Sequence, residues 1–330
     1  MRAYVDISIV VCTYNRADVL RVAVDSLCRL ETEGLFTYEI VVVDDASTDS
    51  TASVLAALAA GAPLPIRAIR GSGAGVAAAR NAGIDEACGA FVAFFDDDQI
   101  AEPSWLIEMW RTLNDSGAPC VGGARTLDLP ADQLKALPRI IRLYLGEIPV
   151  ESEIRPCGRG DLPCTGTVLM ERRVFQAVGR FDASLTQGGE DTEFFARVRR
   201  AGLACWYTPR SVAMHLVPEY RLREPYLKWA AIRGGECFAH RDALEWGVAR
   251  LSAGACIRVA HAVLAHGAML VFASISGAQQ EALARKCQIC RAFAYARTAA
   301  RMALRKGAHT ERGSVVEFRS ERKLFSKYGQ

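Results

Sequence analysis

Three carboxylates stand in a row at Asp96, Asp97 and Asp98, directly after the apolar run 90–95. Adjacent carboxylates repel one another and raise each other's pKa values unless a cation lies among them. Mg²⁺ or Mn²⁺ would meet this need, because hard divalent cations bind carboxylate oxygens and substrate phosphates together. The cluster therefore predicts a metal site that can hold a diphosphate, with a solvated acidic turn as the alternative.

Two other apolar runs, 7–11 and 39–43, also end in polar residues. In open α/β sheets, ligands bind beyond the carboxyl ends of the strands, so we expect the three strand-end clusters to face one crevice. An Asp in such a position often only caps a helix or forms a turn, and that interpretation stays open for the second cluster. The polar residues are Thr13, Tyr14, Asn15 and Arg16 after the first run, and Asp44, Asp45 and Ser47 after the second.

A glycine-rich stretch, 71–83, leads into a predicted helix and contains Arg80. Its backbone amides are candidates for binding a phosphate. Taken alone the stretch is not diagnostic, because a dinucleotide-binding glycine motif would follow the first strand and this one comes much later. Arg80 is a candidate partner of diphosphate oxygens, and an ordinary surface arginine is the alternative.

The strands and helices that must position these candidate residues indicate an α/β fold. β-branched runs at 7–11 and 39–43 alternate with helical patterns, which predicts a parallel sheet covered by helices. The run 90–95 adds a buried strand. The expected helices are 16–30, 50–60, 75–87, 172–178 and 191–201, a further strand is 207–214, a long irregular connection is 127–163, and the chain after 224 is almost wholly helical.

Composition indicates a folded chain of 330 residues with a full core, since 51% of them are hydrophobic. A net charge of +3 argues against a strongly basic nucleic-acid binder, and we expect no nucleic-acid partner. Eleven cysteines, scattered through apolar stretches, indicate buried thiols in a reducing compartment. Cys287 and Cys290 lack the two further ligands of a zinc site. No signal-peptide pattern is present, so we expect a cytoplasmic location.

The motifs resemble the family 2 glycosyltransferases, the large inverting family with the GT-A fold. The resemblance covers about residues 7–215, and it depends on five segments that occur in the family's order. It implies a Rossmann-like α/β fold with a mixed sheet flanked by helices and a helical C-terminal extension. The segments are 8–16, 39–49, 78–83, 94–98, and 178–182 together with 188–194.

The resemblance also implies a nucleotide-sugar donor, with a UDP-sugar expected, and Mn²⁺ or Mg²⁺ as cofactor. Asp191 matches the family's general base, with Glu190 beside it. Asp96 and Asp98 match the D-x-D pair, with Asp97 or Asp96 toward the ribose and Asp98 on the metal. The other implied donor-binding residues are Thr13, Tyr14, Asn15, Asp44, Asp45, Arg80, Gly166 and Thr167, and His215 is an implied metal or acceptor-side residue. Many relatives have Asn where Thr167 stands.

The chemistry of an inverting transfer agrees with this assignment of the acids. A carboxylate must take the proton of the acceptor hydroxyl while the metal stabilises the departing diphosphate. A base close to an anionic donor should have a pKa raised toward the working pH. For Glu190 and Asp191 the alternative is a stabilising interaction of two acids with a helix macrodipole.

We expect a catalytic domain at 1–225 and a helical, partly basic extension at 226–330. Residues 281–330 carry 12 Lys and Arg against 4 Asp and Glu, and an apolar stretch lies at 259–278. This composition suits the cytoplasmic face of an anionic membrane, so we expect peripheral membrane contact and a carbohydrate or lipid-linked acceptor. A dimerisation bundle and a single spanning helix are the alternatives. The run 220–229 is either a lid over the donor or a packed amphipathic helix.

Two other functions compete with sugar transfer. A sugar nucleotidyltransferase also binds nucleotides and a metal on an α/β sheet, but its phosphate loop should follow the first strand. A noncatalytic scaffold that binds sugar or membrane would not require the clustered carboxylates.

Overall fold

The computed structural model describes residues 5–158, 163–185 and 188–304. Within them the chain forms two compact units. The first contains residues 5–126 and 148–216, and the second contains residues 127–147 and 217–304. Residues 127–147 thus group with the C-terminal helices, although the sequence analysis places them before the boundary at 225. The assignment of catalysis to 1–225 remains a prediction.

The first unit is a mixed sheet whose first four strands in chain order are parallel. The strand order is β3-β2-β1-β4-β8-β6-β9-β5, with β7 paired to β9. Strand β8 runs antiparallel to β4 and to β6. The strands are β1 Ile7–Thr13, β2 Tyr38–Asp44, β3 Ile66–Arg70, β4 Phe91–Asp96, β5 Gln99–Ala101, β6 Cys120–Asp128, β7 Arg155–Pro156, β8 Thr167–Glu171 and β9 Cys205–Leu216.

Helices cover both faces of this sheet, which explains why its strands read as continuous apolar runs. One core joins the sheet to α1 and α4, and the other joins it to α3 and α8. Gly83 lets α3 approach β1, because a Cβ there would collide with the side chain of Val10. The helices of this unit are α1 Ala17–Leu27, α2 Thr51–Gly61, α3 Val76–Glu86, α4 Trp105–Ser116, α7 Arg172–Val178 and α8 Glu190–Arg200, while α5 Ala131–Ala136 and α6 Arg139–Tyr144 belong to the second unit.

The α/β prediction is confirmed, but the sheet is mixed and not wholly parallel, and several of its shorter elements differ from the prediction. The expected strands at 7–11, 39–43, 90–95 and 207–214 are present with bounds that differ by a few residues. The sequence reading does not find β3, β5, β6, β8 or α4. The irregular connection expected at 127–163 is wrong in part, because α5, α6 and β7 fall within it.

The second unit is built on a long helical hairpin. Helix α9 spans Glu224–His261, continues through a π-helical segment, Ala262–His266, into α10, Gly267–Ile275, and α11 spans Gln279–Leu304. Non-helical backbone at Gly247, with φ 76°, kinks α9. Tyr226 and Leu227 are buried against α6 and α11, so the run 220–229 packs inside this unit.

A buried carboxylate ties the two long helices together. Asp242 on α9 has no exposed surface. Its oxygens lie 2.7 Å from Arg241 Nη2 and 3.2 Å from Arg258 Nη2, and the hydroxyl of Tyr295 donates to Oδ2 at 2.8 Å. Burial, together with Asp242, raises the pKa of Tyr295 to about 12. The charge of Asp242 is therefore fully compensated inside the hairpin.

Asp242→Ala should destabilise this unit by about 3 kcal/mol, because two arginines lose their counter-charge. We take the low end of the range for buried ion pairs because the Arg258 side chain is 39% exposed. Urea unfolding followed by circular dichroism measures the loss. Glu219→Ala removes an exposed ion pair with Arg223 and should change little. Equal unfolding midpoints for the two variants would contradict the prediction.

Candidate active site

The register of the parallel strands brings the three strand-end clusters to one edge of the sheet. Thr13 on β1 lies opposite Asp44 on β2, and Cys12 on β1 lies opposite Asp96 on β4. Thr13 is buried and Tyr14, which follows it, is partly exposed. The side chains after β1, β2 and β4 are therefore neighbours, as the crevice hypothesis requires.

Asp45 is buried at this edge and orders the glycine-rich stretch. The backbone N–H of Gly73 donates to Asp45 Oδ1 at 2.8 Å, and that of Gly75 donates to Oδ2 at 2.9 Å. Gly71 lies so close that a Cβ there would be 3.0 Å from Asp45 Oδ1. Two of the backbone amides considered for phosphate binding thus donate their hydrogen bonds to the Asp45 carboxylate instead.

The first two clusters are joined by hydrogen bonds between their loops. The backbone N–H of Asn15, whose φ is 50°, donates to Ser47 Oγ at 2.8 Å. Asn15 Oδ1 accepts from the backbone N–H of Thr48 at 2.7 Å. Asp44 Oδ1 accepts from the backbone N–H of Ser47 at 2.9 Å, so Asp44 forms the turn that the sequence left open. Donor binding by Asn15 and Asp44 stays a prediction.

A buried arginine connects the strand-end acids to the second acidic pair. Arg80 on α3 forms an ion pair with Glu190, and its Nη2 lies 3.6 Å from Asp96 Oδ1. Its guanidinium also lies 5.8 Å from the ring centre of Phe181. Burial acts to lower the pKa of Arg80, but Glu190 and Asp96 outweigh burial and raise it. Arg80 is therefore a permanent cation inside the site, and the surface-arginine alternative is wrong.

The two acids at the start of α8 differ in exposure. Glu190 is buried against Arg80, and burial raises its pKa although Arg80 acts to lower it. Among the described residues, its buried Oε2 has no hydrogen-bond partner. Asp191 is partly exposed, and its Oδ1 accepts from the backbone N–H of Thr192 at 2.6 Å. Asp191 is thus the carboxylate of the pair that a substrate can reach.

Asp96 lies between two arginines. Besides its contact with Arg80, its Oδ2 is 3.5 Å from Arg125 Nη1 and accepts from Gln99 Nε2 at 3.1 Å. Gly166 packs directly against this group of side chains. The negative charge of Asp96 is consequently compensated by the protein.

Gly166→Ala should displace the Asp96 carboxylate. The new Cβ would collide with Asp96 and would lie 2.6 Å from Gln99 Nε2. Misplacement of a site group by about 1 Å can cost about 10²-fold, so we expect a loss of that order in kcat/KM for the donor. Steady-state kinetics with varied donor measures it. Gly61→Ala is the control, because its new Cβ would meet no atom within 4 Å. Equal losses of kcat/KM in the two variants would contradict the prediction.

Arg16 is the cation that lies among the remaining acids. Its Nη1 is 2.7 Å from Asp97 Oδ1 and 2.6 Å from Asp98 Oδ2. Burial raises the pKa of Asp97, and Arg16 acts against that rise. His215 Nε2 lies 3.4 Å from Asp98 Oδ2. Among the described side chains, Arg16 is a cation beside the row of acids, and the divalent ion expected there stays a prediction.

The residues present fit a divalent ion that takes part of its coordination from a substrate. Asp98 Oδ2 and His215 Nε2 are spaced as two neighbouring ligands of one ion are when each lies about 2.1 Å from it. The described ranges, this site included, contain no group of three His, Cys, Asp or Glu side chains placed to hold a metal, so the chain itself would supply only two ligands. Mg²⁺ commonly binds one or two protein ligands, waters and substrate phosphates, so two ligands suffice. Metal binding by Asp96 stays a prediction, because its carboxylate contacts Arg80 and Arg125.

Thr167, the predicted sugar contact, lies in the core of the sheet. It is fully buried, and its Oγ1 accepts from Trp105 Nε1 at 2.9 Å. In this position the hydroxyl supports α4 and is not open to a sugar. Its neighbour Gly166 is the residue of this pair that lies at the site.

Sequence reasoning places Arg16 at the crevice without giving it a role, and it misses Arg125 and Gln99. Arg16 stands in the first motif, and its place after β1 is a signal that could have indicated its role. Arg125 lies on β6, which the sequence does not reveal because Gly122 and Gly123 interrupt its apolar pattern. Gln99 is fully buried on the three-residue strand β5, and so short a strand has no sequence signature.

The sequence profile of glycosyl transferase family 2 matches residues 8–178, more than half of the chain. The chain belongs to glycosyl transferase family 2. Among its relatives, the succinoglycan biosynthesis protein ExoM of Rhizobium meliloti (strain 1021) is 28% identical over 236 residues, which are 70% of this chain and 73% of ExoM. The succinoglycan biosynthesis protein ExoO of the same strain is 29% identical over 251 residues, or 73% of this chain and 70% of ExoO.

Solved structures of the same fold extend the likeness to almost the whole chain. The mannosyltransferase PcManGT from Pyrobaculum calidifontis, in complex with GDP-Man and Mn²⁺, has a TM-score of 0.58 at 19% identity, covering 89% of this chain and 87% of that one. S. aureus TarS 1–349 has a TM-score of 0.53 at 14% identity, covering 94% and 95%. The predicted GT-A fold, with a mixed sheet and a long helical C-terminal region, is confirmed.

Proposed function

We propose that this protein is an inverting glycosyltransferase that moves a sugar from a nucleoside-diphosphate sugar, with a UDP-sugar expected, to a hydroxyl of a carbohydrate or lipid-linked acceptor. The observation that carries the proposal is the position of Arg80, which joins Glu190 at the start of α8 to Asp96 at the end of β4. This contact supports a single site that combines the acids suited to hold a divalent ion with the accessible Asp191.

The relatives support the substrate class. ExoM and ExoO are proteins of succinoglycan biosynthesis, which supports a polysaccharide of the cell envelope as the product. PcManGT in complex with GDP-Man and Mn²⁺, and TarS in complex with UDP, support a nucleoside-diphosphate donor and a divalent cofactor, Mn²⁺ or Mg²⁺.

In the proposed reaction, Asp191 takes the proton of the acceptor hydroxyl while the hydroxyl oxygen bonds to the anomeric carbon of the donor. The bond from that carbon to the diphosphate oxygen breaks on the opposite face, so the configuration inverts. Asp98 and His215 would hold the divalent ion, which supplies charge stabilisation to the leaving diphosphate. Arg80 and Arg125 keep Asp96 in one orientation on the donor side and add positive charge there.

The test is release of nucleoside diphosphate by the purified full chain from UDP-sugars or GDP-sugars with Mn²⁺. We expect release from at least one donor, loss of release with EDTA and recovery when Mn²⁺ is restored. Pyrophosphate release from a nucleoside triphosphate and a sugar phosphate would overturn the proposal in favour of nucleotidyl transfer. Donor binding without any release, with a panel of polysaccharide acceptors present, would overturn it in favour of a scaffold.

We further propose that the protein works in the cytoplasm. All eleven cysteines lie in the described part of the chain and all are free thiols. Free thiols in this number are typical of proteins in a reducing compartment.

A further inference from the structure

The C-terminal helical hairpin has an apolar face that the described residues leave uncovered. Glu224–Ile275 contains a stretch long and apolar enough to cross a membrane by length and composition, yet only 11% of it is buried. A patch of this kind marks an interaction site more often than chance exposure. Six large apolar side chains between residues 257 and 275 are 51–82% exposed, and we call them the apolar face: Ile257, Val263, Leu264, Val271, Phe272 and Ile275.

The charges around the apolar face favour an anionic partner. Residues 247–280 contain no Asp or Glu, and they contain Arg250 and Arg258. Arg250 is exposed, whereas Arg258, whose side chain is 39% exposed, is already paired with Asp242. A cation near an anionic lipid surface contributes about 1 kcal/mol to binding. An apolar stretch that contains an exposed arginine and no acid has the composition of a helix that lies on an anionic bilayer.

The path of the chain argues against a membrane-spanning helix. Helix α10 ends at Ile275, the backbone turns at Gly277 with φ 73°, and α11 returns in contact with α10. On α11, Arg285 pairs with Glu281, and its Nη1 lies 3.2 Å from His266 Nδ1, beside the middle of the apolar stretch. If the hairpin stood upright in the bilayer, these charged groups would enter the hydrocarbon, which is costly. A hairpin lying flat keeps them in the polar layer.

We propose that the apolar face docks on an anionic lipid bilayer, with the hairpin in the plane of the interface and the chain not crossing the membrane. The proposal concerns the second unit alone and holds whether or not the protein transfers a sugar. It goes beyond the compositional expectation by naming the side chains that enter the lipid and the orientation of the helices.

The test is flotation of the full chain with phosphatidylcholine vesicles that contain or lack phosphatidylglycerol. We expect the protein to float with the anionic vesicles. Leu264→Ser with Phe272→Ser should lower the partition coefficient onto the vesicles at least about tenfold, since each side chain is worth more than 1 kcal/mol when buried. Leu35→Ser with Val150→Ser is the matched control, because these residues are 54% and 55% exposed in the first unit. Circular dichroism of each variant verifies folding.

Orientation is tested by the fluorescence of a Phe272→Trp variant, measured as its difference from the wild type in brominated lipids. Stronger quenching by bromine near the headgroups supports the flat hairpin, and stronger quenching by bromine at the chain ends overturns it. Equal flotation by the wild type and the Leu264→Ser, Phe272→Ser variant also overturns the proposal. So does a wild-type protein that ignores vesicles and sediments as a dimer, because the apolar face would then be covered by a second copy.

Discussion

Asp191→Asn should lower kcat for sugar transfer by about 10²–10⁴-fold, the range for loss of a general base. Asn has nearly the same shape, and its side-chain oxygen can still accept from the backbone N–H of Thr192 at the start of α8. It cannot take a proton from a hydroxyl. Because Glu190 and not Asp191 pairs with Arg80, the donor side of the site should remain assembled. Donor affinity from calorimetry should therefore be nearly unchanged while product formation falls.

Glu193→Gln is the matched control for this variant. Glu193 stands in the same first turn of α8 and pairs with Arg197 at 2.7 Å. The control should transfer sugar at nearly the wild-type rate. Normal turnover in Asp191→Asn would remove Asp191 from the base role, and equal losses in the two variants would mean that the helix start, and not the base, was damaged.

Asp98→Asn should abolish metal-dependent donor binding. Asp98 and His215 are the pair that fits a divalent ion, and Asn supplies a weaker, uncharged ligand. Loss even of a group that only orients a metal ligand costs about 10–100-fold in metal affinity, so we expect at least that loss for Mn²⁺. Titration of Mn²⁺ followed by electron paramagnetic resonance measures binding without requiring turnover.

A variant of Arg16 provides a second test of the metal site. Arg16 Nη1 lies 2.6 Å from the same Asp98 oxygen that would bind the metal, so an ion and Arg16 compete for it. Arg16→Gln should therefore bind Mn²⁺ more tightly than the wild type in the absence of donor. Asp85→Asn, which removes an exposed acid of the same unit, should bind as the wild type does. An unchanged Mn²⁺ titration for Asp98→Asn would exclude Asp98 as the ligand.

The sequence predicts those parts of the site that depend on strand ends. Runs such as 7–11 and 39–43 are buried on both faces of the sheet, so they are recognisable, and the parallel register then places Thr13 beside Asp44. A cation among the acids also agrees with electrostatics, since adjacent carboxylates raise each other's pKa values unless a cation lies beside them. The sequence does not predict which cation it is, because only tertiary packing decides that Arg16 reaches Asp97 and Asp98.

The remaining contacts depend on long-range packing that leaves no local pattern. Asp45 could bind a base, cap a helix or bond to the glycine loop, and the sequence cannot choose among these, because the answer depends on how α3 packs over β2. Thr167 and Gly166 are neighbours in the chain, yet one faces Trp105 and the other faces Asp96. Thr167 begins β8 and Gly166 stands in the turn before it, and the sequence analysis does not predict this strand.

The ion pair between Arg80 and Glu190 joins residues 110 positions apart. A truncated chain that stopped before α8 would keep Asp96, Asp97 and Asp98 but would leave the Arg80 guanidinium inside the protein without its nearest counter-charge. Burial of an unpaired cation is strongly unfavourable. Such a fragment should therefore not fold stably. The candidate active site should form only after α8 has left the ribosome during synthesis.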